Sequence, residues 1–343
     1  MVQRPEETPA ISVIVPVYNV WQFVGQCMQS LTHQTLKVPY EVLAVNDGST
    51  DRSREVLAEF AKRYPFVRIL DQENAGVSAA RMAGLSAARG KYVCFVDSDD
   101  YVSENYLELL YNACEKGGAE ISCCSYYCRV VSSDILYEYP FHRDGAFTSA
   151  EAIDLLLHDT YLQSYLWGKM FQRELFLRAH VRFPKMCFED LAILNQIFAK
   201  ATHVVLLDRP LYFYNVRKDS TLGKISQKKL NDYLRAIVMV RKSLEEAGTY
   251  PRHRKSYRSL VRKTWFSCNC YLIEIHWRQR SGFFAWLQDI IDLAANISQY
   301  GKDDFCAREA LPTLPDAIGP NSRRLYVPIL HHFLPKDRSA SNV

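Results

Sequence analysis

The chain has 343 residues, enough for a sizeable core arranged as one large domain or two smaller ones. Hydrophobic residues make up 48% and charged residues 23%, an ordinary globular balance that excludes a disordered or fibrous chain, and a net charge of +4 favours no particular partner. No apolar run reaches the length of a membrane-spanning helix, and the polar opening MVQRPEETPA lacks an apolar signal-peptide core, so a soluble cytoplasmic protein is expected, with peripheral membrane attachment left open.

The first part of the chain alternates strand and helix. Ile11 to Val17 (ISVIVPV) is a β-branched run ended by Pro16 and a polar turn. Phe23, Val24, Cys27, Met28 and Leu31 then recur at helical spacing. YEVLAVN, Tyr40 to Asn46, reads as a second strand, followed by a DGSTD turn and a helix carrying Val56, Leu57 and Phe60. VRIL at 67–70 is a third strand. AGVSAARMAGLSAARG is a small-residue helix with Gly90 as its stop, and YVCFVD is a fourth strand.

A helix over about 104–116 and the apolar run AEISCCSYY follow. The stretch 129–146 reads as either a hairpin or a loop. TSAEAIDLLLHD and FEDLAILNQIFAK are helical, and HVVLLDRPLYFYNVR suggests two short strands around a turn at Asp208-Arg209-Pro210. Beyond about Ser220 the pattern is helical, with a basic and aromatic region from Arg252 to Arg280. The ten cysteines sit mostly in apolar runs, and CCSYYC and CNC lack zinc-site spacing, so they read as reduced core residues in a reducing compartment.

Near-continuous apolar strands alternating with helices imply an α/β fold with a mainly parallel sheet flanked by helices. Ligands bind such sheets at the carboxyl ends of the strands. Three strand ends here carry polar signatures: Tyr18-Asn19, Asn46-Asp47-Gly48-Ser49 and Asp97-Ser98-Asp99-Asp100.

The last of these places three carboxylates within four residues. Like charges that close need full solvation or a cation. Hard divalent cations take oxygen ligands, commonly one or two carboxylates plus substrate phosphate oxygens. A solvated acidic turn capping the next helix is the alternative for this motif alone; beside the other two strand ends, the metal reading leads. Asp47 fits either an ordinary turn or a carboxylate that accepts from a nucleobase NH. Tyr18 fits a packed aromatic or a face for a stacked base. Arg81 is either a surface arginine or a diphosphate contact near a helix N-terminus. Glu189-Asp190 offsets the dipole of its own helix, which spacing alone favours, or supplies a general base.

Together these residues resemble the family 2 glycosyltransferases, inverting enzymes with a GT-A (Rossmann-like) fold. SVIVPVYN, NDGSTD, ENAGVSAAR and FVDSDDY occur in the family's order over about residues 11–125. LWGKMFQRELF, FEDLAILNQIF and PLYFYNVRKDS continue it more loosely to about 221.

The resemblance implies a catalytic domain at 11–221 between a flexible N-terminus (1–10) and a mostly helical region (222–343). It implies that Pro16, Tyr18 and Asp47 line the nucleotide site, with Arg81 close by. Asp97 would contact ribose or metal, and Asp99 would be the principal ligand of a divalent Mn²⁺ or Mg²⁺. Asp190 would be the catalytic base, and Tyr214 and Arg217 would belong to a segment closing over the donor. Asn46 departs from the family, where many members have an acid.

The implied activity is sugar transfer from a nucleotide-diphosphate sugar, by resemblance a UDP-sugar, to an acceptor hydroxyl. A glycan or lipid-linked acceptor in bacterial polysaccharide or glycoconjugate synthesis is expected, with no nucleic-acid partner. The alternative is a non-catalytic nucleotide-sugar-binding or assembly subunit; the complete acid set, Asp47, Asp97, Asp99 and Asp190, argues against it. No G-x-G-x-x-G follows the first strand and no P-loop is present, which disfavours a dinucleotide oxidoreductase and a P-loop hydrolase. The basic, aromatic stretch at 252–280 is either a solvated helical subdomain or a surface for anionic lipid headgroups.

Overall fold

The structure is a computed structural model that describes residues 8–159, 161–217, 226–279 and 288–289. The amino-terminal half follows the sequence pattern closely. β1 (Ile11–Val17), α1 (Trp21–Thr32), β2 (Tyr40–Asp47), α2 (Ser53–Arg63), β3 (Val67–Gln72), α3 (Val77–Ala87) and β4 (Tyr92–Phe95) alternate in chain order. β2 pairs parallel with β1 and β3, and β1 pairs parallel with β4.

β1 is apolar throughout because both of its faces are covered. Ile14 points into the layer shared with α3, whereas Val13 and Val15 point into the layer that holds Cys27, Met28 and Leu31 of α1. Each such fully buried aliphatic side chain contributes roughly 1.5–3 kcal/mol. The small residues of α3 let it lie against the sheet: a Cβ on Gly84 would come within 2.4 Å of Ile14 Cγ2. Gly90 is not a left-handed helix stop. α3 ends at Ala88 in extended backbone, and Gly90 passes so close to β1 that a Cβ would meet the Ser12 amide nitrogen at 2.6 Å.

The second half departs further from the reading. After β5 (Tyr101–Val102) and α4 (Tyr106–Gly117) come β6 (Ile121–Val130), β7 (Ile135–Tyr139), β8 (Gly145–Thr148), α5 (Ser149–His158), β9 (Lys169–Gln172), α6 (Glu174–Arg178), α7 (Glu189–Phe198) and β10 (His203–Val216). One sheet runs β3-β2-β1-β4-β9-β6-β10-β5, with β7 added to β6 and β8 to β10. The stretch 129–146 thus contains a hairpin strand, β7, and part of β8.

β10 is one strand, not two. The expected turn at Asp208-Arg209-Pro210 is absorbed as an irregularity in its pairing with β6 between Leu207 and Tyr212. A bulge there accommodates Pro210, which has no amide hydrogen to donate. β9, four residues with no alternation of its own, is inserted antiparallel between β4 and β6. Among the strands described, parallel pairing runs through β3-β2-β1-β4 and joins β6 to β10.

α5 opens with a capping box between Thr148 and Glu151. α8 (Gln227–Glu246) and α9 (Tyr250–Gln279) pack on α7 and α5. Ile237, Val240, Leu244, Tyr257, Leu260 and Val261 join the same core as Leu194 and Phe198. The expected boundary near residue 221 lies outside the described residues. Of the aromatics expected to face lipid, Tyr257 is core, while Trp277 is 72% exposed. Among the described residues no helix is long and apolar enough to cross a membrane.

Candidate active site

The carboxyl ends of β1, β2 and β4 lie side by side because the three strands are adjacent and parallel. The loops after β1 and β2 are laced together. Asn19 Oδ1 accepts from the Thr50 amide at 2.8 Å, the Trp21 amide donates to Asp51 Oδ2 at 3.1 Å, and the Val20 amide donates to Ser53 Oγ at 2.9 Å. Tyr18 stands out from this junction, 50% exposed, whereas Pro16, within β1, is buried.

Asp47 is buried, and both its oxygens hold the loop between β3 and α3. Oδ1 accepts from Gln72 Nε2 at 2.7 Å and the Ala75 amide at 2.9 Å, and Oδ2 accepts from the Gly76 amide at 2.9 Å. Asn46 donates from Nδ2 to Asp71 Oδ1 at 2.8 Å and accepts from the Ser49 amide at 3.2 Å. An acid at 46 could not make that donation, which accounts for the amide in this chain.

The three carboxylates after β4 have separate tasks. Asp100 turns inward and is buried, accepting from the Tyr212 hydroxyl at 2.7 Å and the Asn215 amide at 2.8 Å. It ties the strand end to β10. Asp97 and Asp99 keep 29% and 24% of their side chains exposed. Asp99 Oδ2 accepts from Arg217 Nη2 at 2.6 Å, and the Arg217 guanidinium also covers the Phe23 ring at 4.8 Å. Burial first, then Asp97, pushes the Asp99 carboxyl above its ordinary pKa despite Arg217.

Arg81 is the centre of the site and not a surface arginine: only 4% of its side chain is exposed. It projects from α3 and gathers carboxylates from two other elements. Nη2 donates to Asp97 Oδ1 at 3.0 Å, and Nη1 donates to Asp190 Oδ1 at 2.7 Å and to Glu189 Oε1. Burial alone would lower the guanidinium pKa, but Asp190, Asp97 and Glu189 raise it instead. Its Nε is buried without a hydrogen-bond partner.

Glu189 and Asp190 begin α7 after Phe188 in the left-handed region. Their carboxylates face Arg81, so offsetting their own helix dipole does not account for their placement. Asp190 Oδ2 also accepts from the Leu166 amide at 3.1 Å. Burial pushes both acids above the ordinary carboxylate range, only partly opposed by Arg81.

Residues 12–198 match the family described as Glycosyl transferase family 2. The chain belongs to glycosyl transferase family 2. It is 38% identical over 218 residues to the uncharacterized glycosyltransferase EpsJ of Bacillus subtilis, covering 62% of each chain. The S. aureus protein TarS (residues 1–349) in complex with UDP-GlcNAc superposes with a TM-score of 0.65 at 18% identity, over 84% of this chain and 81% of that one. The mannosyltransferase PcManGT of Pyrobaculum calidifontis, in complex with GDP-Man and Mn²⁺, gives 0.51 at 14% identity, over 90% and 92%. The fold is the GT-A fold, with a mixed central sheet flanked by helices.

Asp97 and Asp99 suit the divalent cation of such a family member. They are two oxygen donors at a strand mouth, both partly solvent-facing, and the Asp99 carboxyl is held by one arginine in a setting that disfavours its charge. Among the described residues no cluster of three or more His, Cys, Asp or Glu could hold a metal. The two carboxylates would therefore need phosphate oxygens to complete a coordination shell.

Three residues that shape the site's surroundings were not singled out in the sequence. Asp100 was not separated from its neighbours, and Tyr212 gave no local signal. Lys169 lies in the apolar run LWGKMF, where a lone lysine is itself a signal of a satisfied buried charge.

Proposed function

We propose that this chain is an inverting glycosyltransferase that moves a sugar from a nucleotide-diphosphate donor, a UDP-sugar, to an acceptor hydroxyl. The observation that carries the reading is the surplus of acid at one sheet edge: Asp97, Glu189 and Asp190 share Arg81, while Asp99 is paired with Arg217. Such a surplus suits a site that a cation and a bound donor complete. The chain spans 62% of the EpsJ length, so donor, acceptor and partners are part of the proposal.

Asp190 is the general base. Its raised pKa brings it nearer to neutrality, where proton acceptance is efficient. It takes the acceptor hydroxyl proton as that oxygen attacks the anomeric carbon. The bond from that carbon to the diphosphate oxygen breaks, its electron pair leaves with the diphosphate, and the single displacement inverts the centre. Arg217, which pairs with Asp99, supplies a guanidinium beside the departing diphosphate. Asp97 and Asp99 would hold a bound Mn²⁺ or Mg²⁺, which would supply positive charge to stabilise the diphosphate leaving group. Tyr18 offers its exposed ring to the base, with Pro16 and the loop that Asp47 fixes lining the same site. The acceptor is a growing glycan or a lipid-linked one, at the cytoplasmic face of a bacterial membrane. Trp277 on α9, 72% exposed, lies in the basic, aromatic stretch that would make a peripheral contact there.

Calorimetric titration of UDP, with Mn²⁺ and then with chelator, tests the reading. Wild type is expected to bind in a metal-dependent manner, and Asp99→Ala to lose that dependence. Binding of neither UDP, GDP nor CMP by wild type would instead support a non-catalytic assembly subunit.

A further inference from the structure

The residues between α5 and β9 approach the base from the side opposite Arg81. The Leu166 amide donates to Asp190 Oδ2 at 3.1 Å. Two lysines from different parts of the chain hold the segment that carries this amide. Lys169, at the start of β9, is 4% exposed, and its Nζ donates to the carbonyls of Tyr165 at 2.6 Å and Gln163 at 3.0 Å. These carbonyls flank the donor amide on its amino-terminal side. Lys263 of α9 donates from Nζ to Asp159 Oδ2 at 2.8 Å and to the Asp159 carbonyl. Asp159 Oδ1 in turn accepts from the Ser164 amide at 3.1 Å. The Tyr126 hydroxyl closes the segment by donating to Gln163 Oε1.

A buried ammonium is costly, and its hydrogen bonds here go to two backbone carbonyls. Burial pushes its pKa down, and nearby Asp190 and Asp159 are among the groups that oppose this. An apolar residue could fill the same space in this run. What it could not do is fix two carbonyls and thereby the orientation of the next amide. The hydrogen-bond chain from Lys263 through Asp159 and Ser164 reaches the same segment from α9, which lies outside the matched residues 12–198.

We propose that Lys169 and Lys263 are positioning residues for Asp190: together they brace residues 161–166 so that the Leu166 amide holds one carboxylate oxygen and leaves the base aimed at the acceptor. α9 is then part of the catalytic apparatus through Lys263. The inference rests on the glycosyl-transfer reading of Asp190.

The test uses the full chain and the variants Lys169→Gln, Lys263→Met and Asp159→Ala. Hydrogen exchange is followed in peptides covering 161–168, UDP affinity is measured by calorimetry, and kcat and donor KM are measured for sugar transfer or donor hydrolysis. The expected result is faster exchange in that segment and unchanged UDP affinity and KM. kcat should fall about 100-fold in Lys169→Gln and about tenfold in Lys263→Met and Asp159→Ala, the scale of a displaced catalytic group. Unchanged exchange in Lys263→Met and Asp159→Ala would overturn the brace, even if Lys169→Gln failed to fold. Loosened exchange with unchanged kcat would overturn its link to the base. A wild type that turns over no sugar donor would overturn the glycosyl-transfer reading, and with it the catalytic part of the inference. The exchange data would still decide whether the lysines hold the segment.

Discussion

Two buried carboxylate sites sit at opposite ends of the same parallel strands, and they are balanced in opposite ways. At the amino ends, Glu41 of β2 is one acid among many donors. It accepts from Ser12 Oγ at 2.8 Å, the Arg89 amide at 2.9 Å, Arg68 Nη1 at 2.7 Å and Arg89 Nε at 3.2 Å. Burial pushes its pKa up, but these donors more than offset that and hold it below the ordinary range. At the carboxyl ends, Arg81 is the one cation paired with three acids, and Glu189 and Asp190 are held above the ordinary range. A surplus of donors completes a structural ion pair. A surplus of acid suits a site with something still to bind, which is the contrast the proposed function rests on.

The sharpest way to test the contrast is to remove one acid from each end. Asp190→Asn should lower kcat about 1,000-fold while leaving UDP affinity intact, since a general base contributes on that scale. It should cost little stability, because Arg81 keeps Asp97 and Glu189. Glu41→Ala should do the reverse. It removes the acceptor of the Ser12 hydroxyl and the Arg89 amide, together with two ion pairs whose arginines reach solvent, so urea unfolding should show a loss of roughly 1–3 kcal/mol. Activity per folded molecule should be unchanged. Equal kinetic damage from both substitutions would remove the distinction.

A smaller effect separates the two ends by the sign of their pH dependence. Glu189 and Asp190 bind protons more tightly in the folded state. Their contribution to stability is complete below the ordinary carboxylate range, about pH 4, and is lost as pH rises through the raised folded values. Glu41 has a lowered folded value. Its contribution is complete above that range and is lost as pH falls through the lowered value. Unfolding free energy measured across pH should therefore decline less steeply towards neutrality in Glu189→Gln than in wild type. In Glu41→Gln the loss towards acid pH should be the part that flattens.

The strand-helix alternation from Ile11 to Phe95 could be read directly, because β1, β2 and β4 are buried along nearly their whole length and their runs report it. The polar strand ends were legible for a related reason: where an apolar strand stops, any cluster of acids must be doing something other than packing. The amphipathic helices α5 and α7 declared themselves by spacing and, for α5, by its Thr148-Glu151 cap. β9 and the unbroken course of β10 did not. A four-residue strand held between β4 and β6 has no period of its own, and Pro210 looks locally like a turn.

The sequence by itself therefore determined the α/β architecture and the strand ends at which these acids gather. Only the tertiary structure decided what each acid does. Asp100 became a tie to Tyr212, more than a hundred residues away, while Asp97 and Asp99 stayed open to solvent. Arg81 was drawn from an apparent surface position into the midst of Asp97, Glu189 and Asp190. Lys169 and Lys263 were brought to one backbone segment beside Asp190. Local sequence fixes periodicity and turn chemistry over a few residues. Charge balance at a buried site is a sum over elements far apart in the chain, and it exists only once the sheet has brought them together.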